Sequence, residues 1–252
     1  MKKETMKGRE LLKGIKVSKY FGGLAAVKDV DFTIREKEIV GLIGPNGAGK
    51  TTLFNVINGI YHPTSGKIEF LGINITKFKP NKICNLGIGR TFQIMKPFLN
   101  ITVLENVMVG VFFGKGKSIS MTDAQNEAKR FIEFVGLSEK KDVLARSLTL
   151  ADRKMLEIAR ALATEPKIIL LDEVVAGLNP TETSRAMKLI KRIQNELGIT
   201  VLWIEHVMRA VMGVAERVIV LHHGEKIADG TPKEVANDKG VIDAYLGEKY
   251  LF

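Results

Sequence analysis

Gly41-Leu42-Ile43-Gly44-Pro45-Asn46-Gly47-Ala48-Gly49-Lys50-Thr51-Thr52 reads as the end of a buried strand, a glycine-rich loop and the start of a helix. Glu38 to Ile43 supplies the strand, and Thr52 to Ile57 carries a helical pattern. Between them Gly44, Gly49, Lys50 and Thr51 complete the spacing G-x-x-x-x-G-K-[ST]. Such a loop needs glycine because its backbone N–H groups turn inward toward one anion, at dihedrals and a closeness that a side chain blocks. A helix N-terminus behind the loop adds unsatisfied N–H groups and the positive end of its dipole. Lys50 is thereby placed to reach the β- and γ-phosphates of a nucleoside triphosphate, and the Thr51 hydroxyl to take Mg²⁺.

The chain has 252 residues, 45% of them hydrophobic, enough to bury a sizeable α/β core. Its net charge of +10 suits nucleic acid or an anionic membrane surface, but apart from the N-terminal MKKETMKGRE the basic residues are scattered, so charge alone does not choose. A single cysteine, Cys84, excludes an internal disulfide, and no signal-peptide-like or spanning apolar segment stands out, so the cytoplasm is the expected compartment.

Outward from the loop, IKVSKYF and VKDVDFTI alternate like two short strands turning at Gly22-Gly23, an antiparallel flap that offers Phe21, or failing that Tyr20, as an aromatic face for a purine. The helix after the loop should stop at Asn58-Gly59, with KIEFLG giving another strand. GIGRTFQ reads as a strand ending at Gln93, whose amide is a candidate reader of Mg²⁺ or of an attacking water. From 94 to 147 strand signals vanish. Glycines at 110, 114 and 116 are expected to end a first helix near Val103 to Val109, and Thr122 with Gln125 offers a capping box for a second helix stopping at Gly136. Helix resumes from Arg153 to Thr164. KIILLDE is the continuous apolar run of a central parallel strand, at whose carboxyl end Asp172 would hold Mg²⁺ through water and Glu173 would polarise a water for attack on the γ-phosphate. Asn179-Pro180 opens the next helix, TVLWIEH gives a second buried strand ending at His206, a donor to the γ-phosphate, and RVIVLHHGEKIADG folds as a hairpin at His223-Gly224 before a short helical tail.

GPNGAGKTT, Gln93, IILLDE, AGLNP and His206, in this order and spacing, resemble the ATP-binding cassette (ABC) transporter ATPases over nearly the whole chain. GRTFQ, NITVLENVMVG, LEIARAL, WIEHVM and GTPKEVANDKGVIDAYLGE resemble in particular the ATP-binding subunits of branched-chain amino acid importers. The resemblance implies a P-loop NTPase (RecA-like) α/β core with β flap at 10–93 and 153–235, a helical insert at 94–152 and a helical tail at 236–252, in one ATPase domain. It implies that Phe21 stacks on adenine, that Gly44 to Thr52 bind the phosphates of ATP, that Thr51, Gln93 and Asp172 serve Mg²⁺, that Glu173 is the catalytic base and that His206 is the switch. It also implies a second ATPase subunit, identical or paralogous, membrane permease subunits, a solute-binding protein acting indirectly, a place on the cytoplasmic face of the membrane, and no nucleic acid. The signature that meets the partner's ATP, LSGGQ in the family, reads LTLAD here at Leu148 to Asp152. Thr149 keeps a hydroxyl and Ala151 a backbone N–H for that contact, whereas the Asp152 carboxylate calls for compensation by Arg153 or Lys154. Two readings from other classes are a soluble cassette acting on nucleic acid or ribosomes and a non-catalytic nucleotide-binding regulator.

Overall fold

The computed structural model describes residues 8–93, 96–114 and 119–247. Most of the basic N-terminal stretch, the first two residues of the expected insert, Gly116 and the last five residues of the tail lie outside the described residues. In chain order the strands are β1 (Glu10–Phe21), β2 (Leu24–Arg35), β3 (Ile39–Ile43), β4 (Ser65–Phe70), β5 (Ile73–Asn74), β6 (Ile88–Arg90), β7 (Ile168–Asp172), β8 (Thr200–Ile204), β9 (Arg217–His222) and β10 (Glu225–Gly230). The helices are α1 (Lys50–Ile57), α2 (Pro80–Leu86), α3 (Val103–Gly114), α4 (Met121–Phe134), α5 (Leu150–Leu162), α6 (Pro180–Leu197), α7 (Met208–Val214), α8 (Pro232–Ala236) and α9 (Lys239–Gly247).

Two kinds of strand build two sheets. The alternating strands form an antiparallel sheet in the order β2-β1-β4-β5, the expected flap. The continuous apolar strands β3, β7, β8 and β9, with β10 and β6 at the edges, form a sheet in the order β10-β9-β3-β8-β7-β6, parallel except for the β9–β10 hairpin. Every residue of β3, β7 and β8 is buried, as a sheet covered on both faces requires. Strand alternation divides them cleanly. Leu42, Leu170 and Leu202 join the cluster shared with the flap and Phe54 of α1, while Ile43, Leu171 and Trp203 join the one shared with α3 to α7. The carboxyl ends of β3, β7 and β8 therefore meet at one edge, where α/β sheets hold their ligands. Among the described residues no helix is long and apolar enough to cross a membrane.

Several elements differ from expectation for identifiable reasons. Strand β6 ends at Arg90 rather than Gln93, because the Thr91 hydroxyl accepts from the Asp172 N–H (3.0 Å) and the chain then leaves the ladder. Helix α3 runs straight through Gly110, which is a point of close approach and not a break. A Cβ there would lie 2.6 Å from the Arg160 carbonyl oxygen of α5. Helix α4 is capped two residues earlier than the Thr122–Gln125 reading, by Ser120 accepting from the Asp123 N–H. Helix α5 starts at Leu150, with Thr149 as its cap, three residues before the expected Arg153. The short helices α2 and α7 were not expected, since seven residues give too little periodicity to register. The Asn179-Pro180 helix start and the His223-Gly224 turn are as the sequence indicates; in the structure Asn179 forms a capping box with Glu182, and Gly198 in the left-handed conformation ends α6.

Candidate functional site

The loop after β3 keeps its shape through tight backbone packing. Gly49 has φ 98°, and a Cβ on it would come within 2.2 Å of the Ala26 carbonyl oxygen of β2. No side chain caps α1, so its leading N–H groups face outward for an anion. Lys50 is buried, its Nζ donating to the carbonyl oxygens of Gly44 and Pro45 at 2.7 Å each. The loop opens on a cleft of about 600 Å³ lined by Asn46, Gly47, Ala48, Gly49, Lys50, Thr51 and Thr52, with Phe21, Gln93, Glu173 and His206 around it. Gly44 and Pro45 lie behind this wall and contribute through their carbonyls to Lys50. Phe21, 42% exposed, lines the cleft with its ring edge-to-face on Tyr61, whereas Tyr20 is not among the lining residues and its N–H donates to Thr64 Oγ1.

Glu173 gathers groups that the sequence keeps far apart. Gln93 Nε2 donates to its Oε2 at 3.0 Å, and His206 Nε2 donates to its Oε1 at 2.5 Å. The backbone is pinned as well. Its N–H donates to Ile204 O (3.0 Å), its carbonyl accepts from Lys154 Nζ (2.7 Å), and φ is 51°, a left-handed conformation costing about 1–3 kcal/mol for a residue other than glycine. These contacts hold the strained residue, with its side chain 12% exposed, at the cleft. Behind it Glu205 is fully buried and accepts from the Val175 and His206 N–H groups; burial pushes its carboxyl up, and those bonds oppose the shift.

Asp172 lies beneath this surface. Its Oδ2 is 3.0 Å from an Arg90 guanidinium nitrogen, both side chains being almost without exposure, and its Oδ1 is buried without a hydrogen-bond partner. Burial pushes the Asp172 carboxyl above the ordinary carboxylate range, and the Arg90 charge pulls it back.

Thr149 and Ala151 are not in the cleft. They line a separate hollow of about 690 Å³ together with Asp152 and Lys140. The Thr149 hydroxyl caps α5, accepting from the Asp152 N–H and donating to Asp152 Oδ2 at 2.7 Å. Compensation of Asp152 comes from Lys140, whose Nζ is 2.6 Å away, and not from Arg153 or Lys154. Those two are engaged with the Arg146 and Glu173 carbonyl oxygens. Reading by motif passed over Arg90, which stands inside the quoted GRTFQ, and Lys140, which no spacing ties to Asp152. Lys154 had entered only as a partner for that aspartate.

A family model for the ABC transporter matches residues 27–176, and one for the branched-chain amino acid ATP-binding cassette transporter matches residues 225–250. The chain is 43% identical over 240 residues to the high-affinity branched-chain amino acid transport ATP-binding protein LivG of Salmonella typhimurium, covering 90% of this chain and 94% of the relative. Among solved structures it is similar to a nucleotide-free ATP-binding cassette from an ABC transporter (TM-score 0.85, 32% identity, 94% of this chain and 98% of the other). It is also similar to a dimeric cassette in a post-hydrolysis state bound to ADP and Pi (TM-score 0.81, 28% identity, 88% and 99%). These likenesses favour neither the nucleic-acid reading nor the non-catalytic regulator.

Proposed function

We propose that this chain, which belongs to the ABC transporter family, is the ATP-hydrolysing subunit of an importer of branched-chain or related amino acids, seated on the cytoplasmic face of the membrane against separate permease subunits. The observation that carries the reading is the Glu173 carboxylate, fixed at the mouth of the phosphate-loop cleft between Gln93 and His206. In this reading Phe21 stacks on adenine, Asn46 to Thr52 cradle the phosphates, and Lys50 turns from the loop carbonyls to the β- and γ-phosphates. Glu173 takes a proton from a water whose oxygen bonds to the γ-phosphorus as the bond to the bridging oxygen breaks, leaving ADP and inorganic phosphate. His206 holds that carboxylate and faces the γ-phosphate as donor.

Thr51, Gln93 and Asp172 would hold Mg²⁺, and the unpartnered Asp172 Oδ1 suits a donor to a cation or to its water. When bound, the ion neutralises charge developing on the β- and γ-phosphates. Thr149 and Ala151 of one copy would meet the nucleotide of a second ATPase subunit, identical or paralogous. The division into core (10–93 and 153–235), insert (94–152) and tail (236–252) belongs to the same reading, with the boundary at 152 falling in the first turn of α5, so that insert and core share that helix.

The permease is expected at a groove of about 540 Å³ between α2, β6, α3 and α5, where Phe92 and Phe113 are 41% and 77% exposed. A solute-binding protein would act through the permease alone. Purification of the tagged chain from detergent-solubilised membranes tests this. Recovery with integral-membrane subunits that raise its ATPase rate is the expected outcome, and recovery with ribosomes or nucleic acid alone would refute it.

A further inference from the structure

Arg90 occupies a junction that its neighbours in sequence do not explain. One guanidinium nitrogen donates to Asp172 Oδ2 at 3.0 Å and another to Asn55 Oδ1 at 2.7 Å. The planar group lies against the rings of Phe54 (5.5 Å to the centroid) and Phe92 (4.9 Å), and its side chain is 4% exposed. A guanidinium clamped on both edges and flanked by aromatic rings has one orientation available to it.

The two elements it joins carry two of the three proposed metal donors, Thr51 and Asp172; the third, Gln93, follows β6. Asn55 stands four residues after Thr51 on α1, on the same face of that helix, and Asp172 closes β7. Arg90 therefore fixes the separation of Thr51 from Asp172 through a single rigid fork. It also occupies Oδ2, so that Oδ1 is the oxygen of Asp172 with no hydrogen-bond partner, while the Asp172 N–H is held by Thr91.

We infer that Arg90 is a positioning residue for Mg²⁺: it sets the spacing between the Thr51 hydroxyl and Asp172 and commits Asp172 Oδ1 to the cation. The inference rests on the reading of Thr51 and Asp172 as metal donors. It gives the exposed groove a line to the metal site, because Arg90 and Phe92 both line that groove. A partner segment seated there lies beside the stretch that carries Arg90.

The test is Mn²⁺ affinity of the protein–ADP complex, followed by electron paramagnetic resonance, beside ADP affinity measured in EDTA. Removal of a partner that orients a metal ligand typically costs 10- to 100-fold in metal affinity. Arg90→Gln is expected to show a loss of that order with metal-free ADP affinity unchanged. Arg90→Lys, which keeps the charge but cannot grip Asp172 and Asn55 together, should fall between it and the wild type. Asn55→Leu, which frees one edge of the fork without touching the ion pair, should weaken Mn²⁺ several-fold and decides the matter should Arg90→Gln fail to fold. Folded Arg90→Lys and Asn55→Leu proteins with wild-type Mn²⁺ affinity would overturn the role of Arg90. Failure of the underlying reading looks different: the wild type would bind Mn²⁺ no better with ADP than without, or Asp172→Asn would leave that affinity intact.

Discussion

The phosphate-loop face and the signature stretch Leu148–Asp152 satisfy their polar groups in opposite ways. On the first, groups from four distant segments converge: Glu173 is held by Gln93, His206 and Lys154, and the helix behind the loop has no side-chain cap. On the second, Thr149 and Asp152 bond mainly to each other, across three residues, and Lys140 closes the set. A side-chain oxygen that caps its own helix already accepts an N–H of that helix, and the Thr149 proton goes to Asp152, whereas an uncapped helix start keeps its N–H groups for a ligand. Local self-satisfaction thus makes the signature stretch a stability element of the monomer, and long-range convergence makes the loop face a binding element.

Crossed substitutions test this division, the largest effect coming from the cap. Thr149→Ala should cost about 1 kcal/mol, within a range of roughly 0.5–2, and lower the melting temperature by about 2–4 °C per kcal/mol for a chain of this size. Nucleotide affinity of the monomer should not move, and a loss of affinity in equilibrium titrations would break the contrast. Phe21→Ala should do the reverse, weakening ATP binding by about 0.5–1.5 kcal/mol, roughly two- to tenfold, with the melting curve little changed. If Tyr20→Ala abolishes binding and Phe21→Ala does not, the wrong ring has been assigned.

The smallest effect is the pH dependence that Asp152 contributes on the signature side. Burial raises the Asp152 carboxyl, but the hydrogen bonds from Lys140 and Thr149 outweigh it and hold the group below its ordinary value. The unfolded chain then binds that proton more readily than the folded one. The stabilisation is accordingly complete above the ordinary aspartate value of about 3.9 and is lost as pH falls through the lower folded value. Lys140→Met should destabilise by a few tenths to about 1 kcal/mol near neutrality, with the gap to wild type closing toward pH 3 in thermal melts. A gap that stays constant down to pH 3 would mean that Lys140 contributes packing alone.

The same contrast explains what the sequence could disclose. Continuous apolar runs such as IILLDE and TVLWIEH, and the glycine spacing between β3 and α1, carry their own signal, so the sheet and the convergence of its carboxyl ends are readable without coordinates. The Asp152 partner is not, because Lys140 lies twelve residues back, at the end of one short 3₁₀ turn and beyond another, and no motif links them. Gly110 misled for a related reason: glycine marks both a helix end and a helix crossing, and only packing against Arg160 separates the two. Arg90 was visible as a residue but not as a bridge, since its partners come from α1 and β7.

The most direct measurement concerns whether the two faces are halves of one site, the loop face of one subunit closing on the signature stretch of another. Glu173→Gln keeps the size of the side chain but cannot take the proton of an attacking water, which should slow hydrolysis about 10²- to 10⁴-fold while leaving the phosphate loop intact. Driving a two-state clamp from 1:99 to 99:1 takes about 5.5 kcal/mol, or roughly 2.8 for each of two ATP molecules, and charge-assisted hydrogen bonds of about 1.5–3 kcal/mol each can supply it. Size-exclusion chromatography of Glu173→Gln with and without ATP reads this out. A shift from monomer to dimer that appears only with ATP is the expected result. A Glu173→Gln protein that binds ATP yet stays monomeric, or that hydrolyses ATP at the wild-type rate, would contradict a composite site built around Glu173.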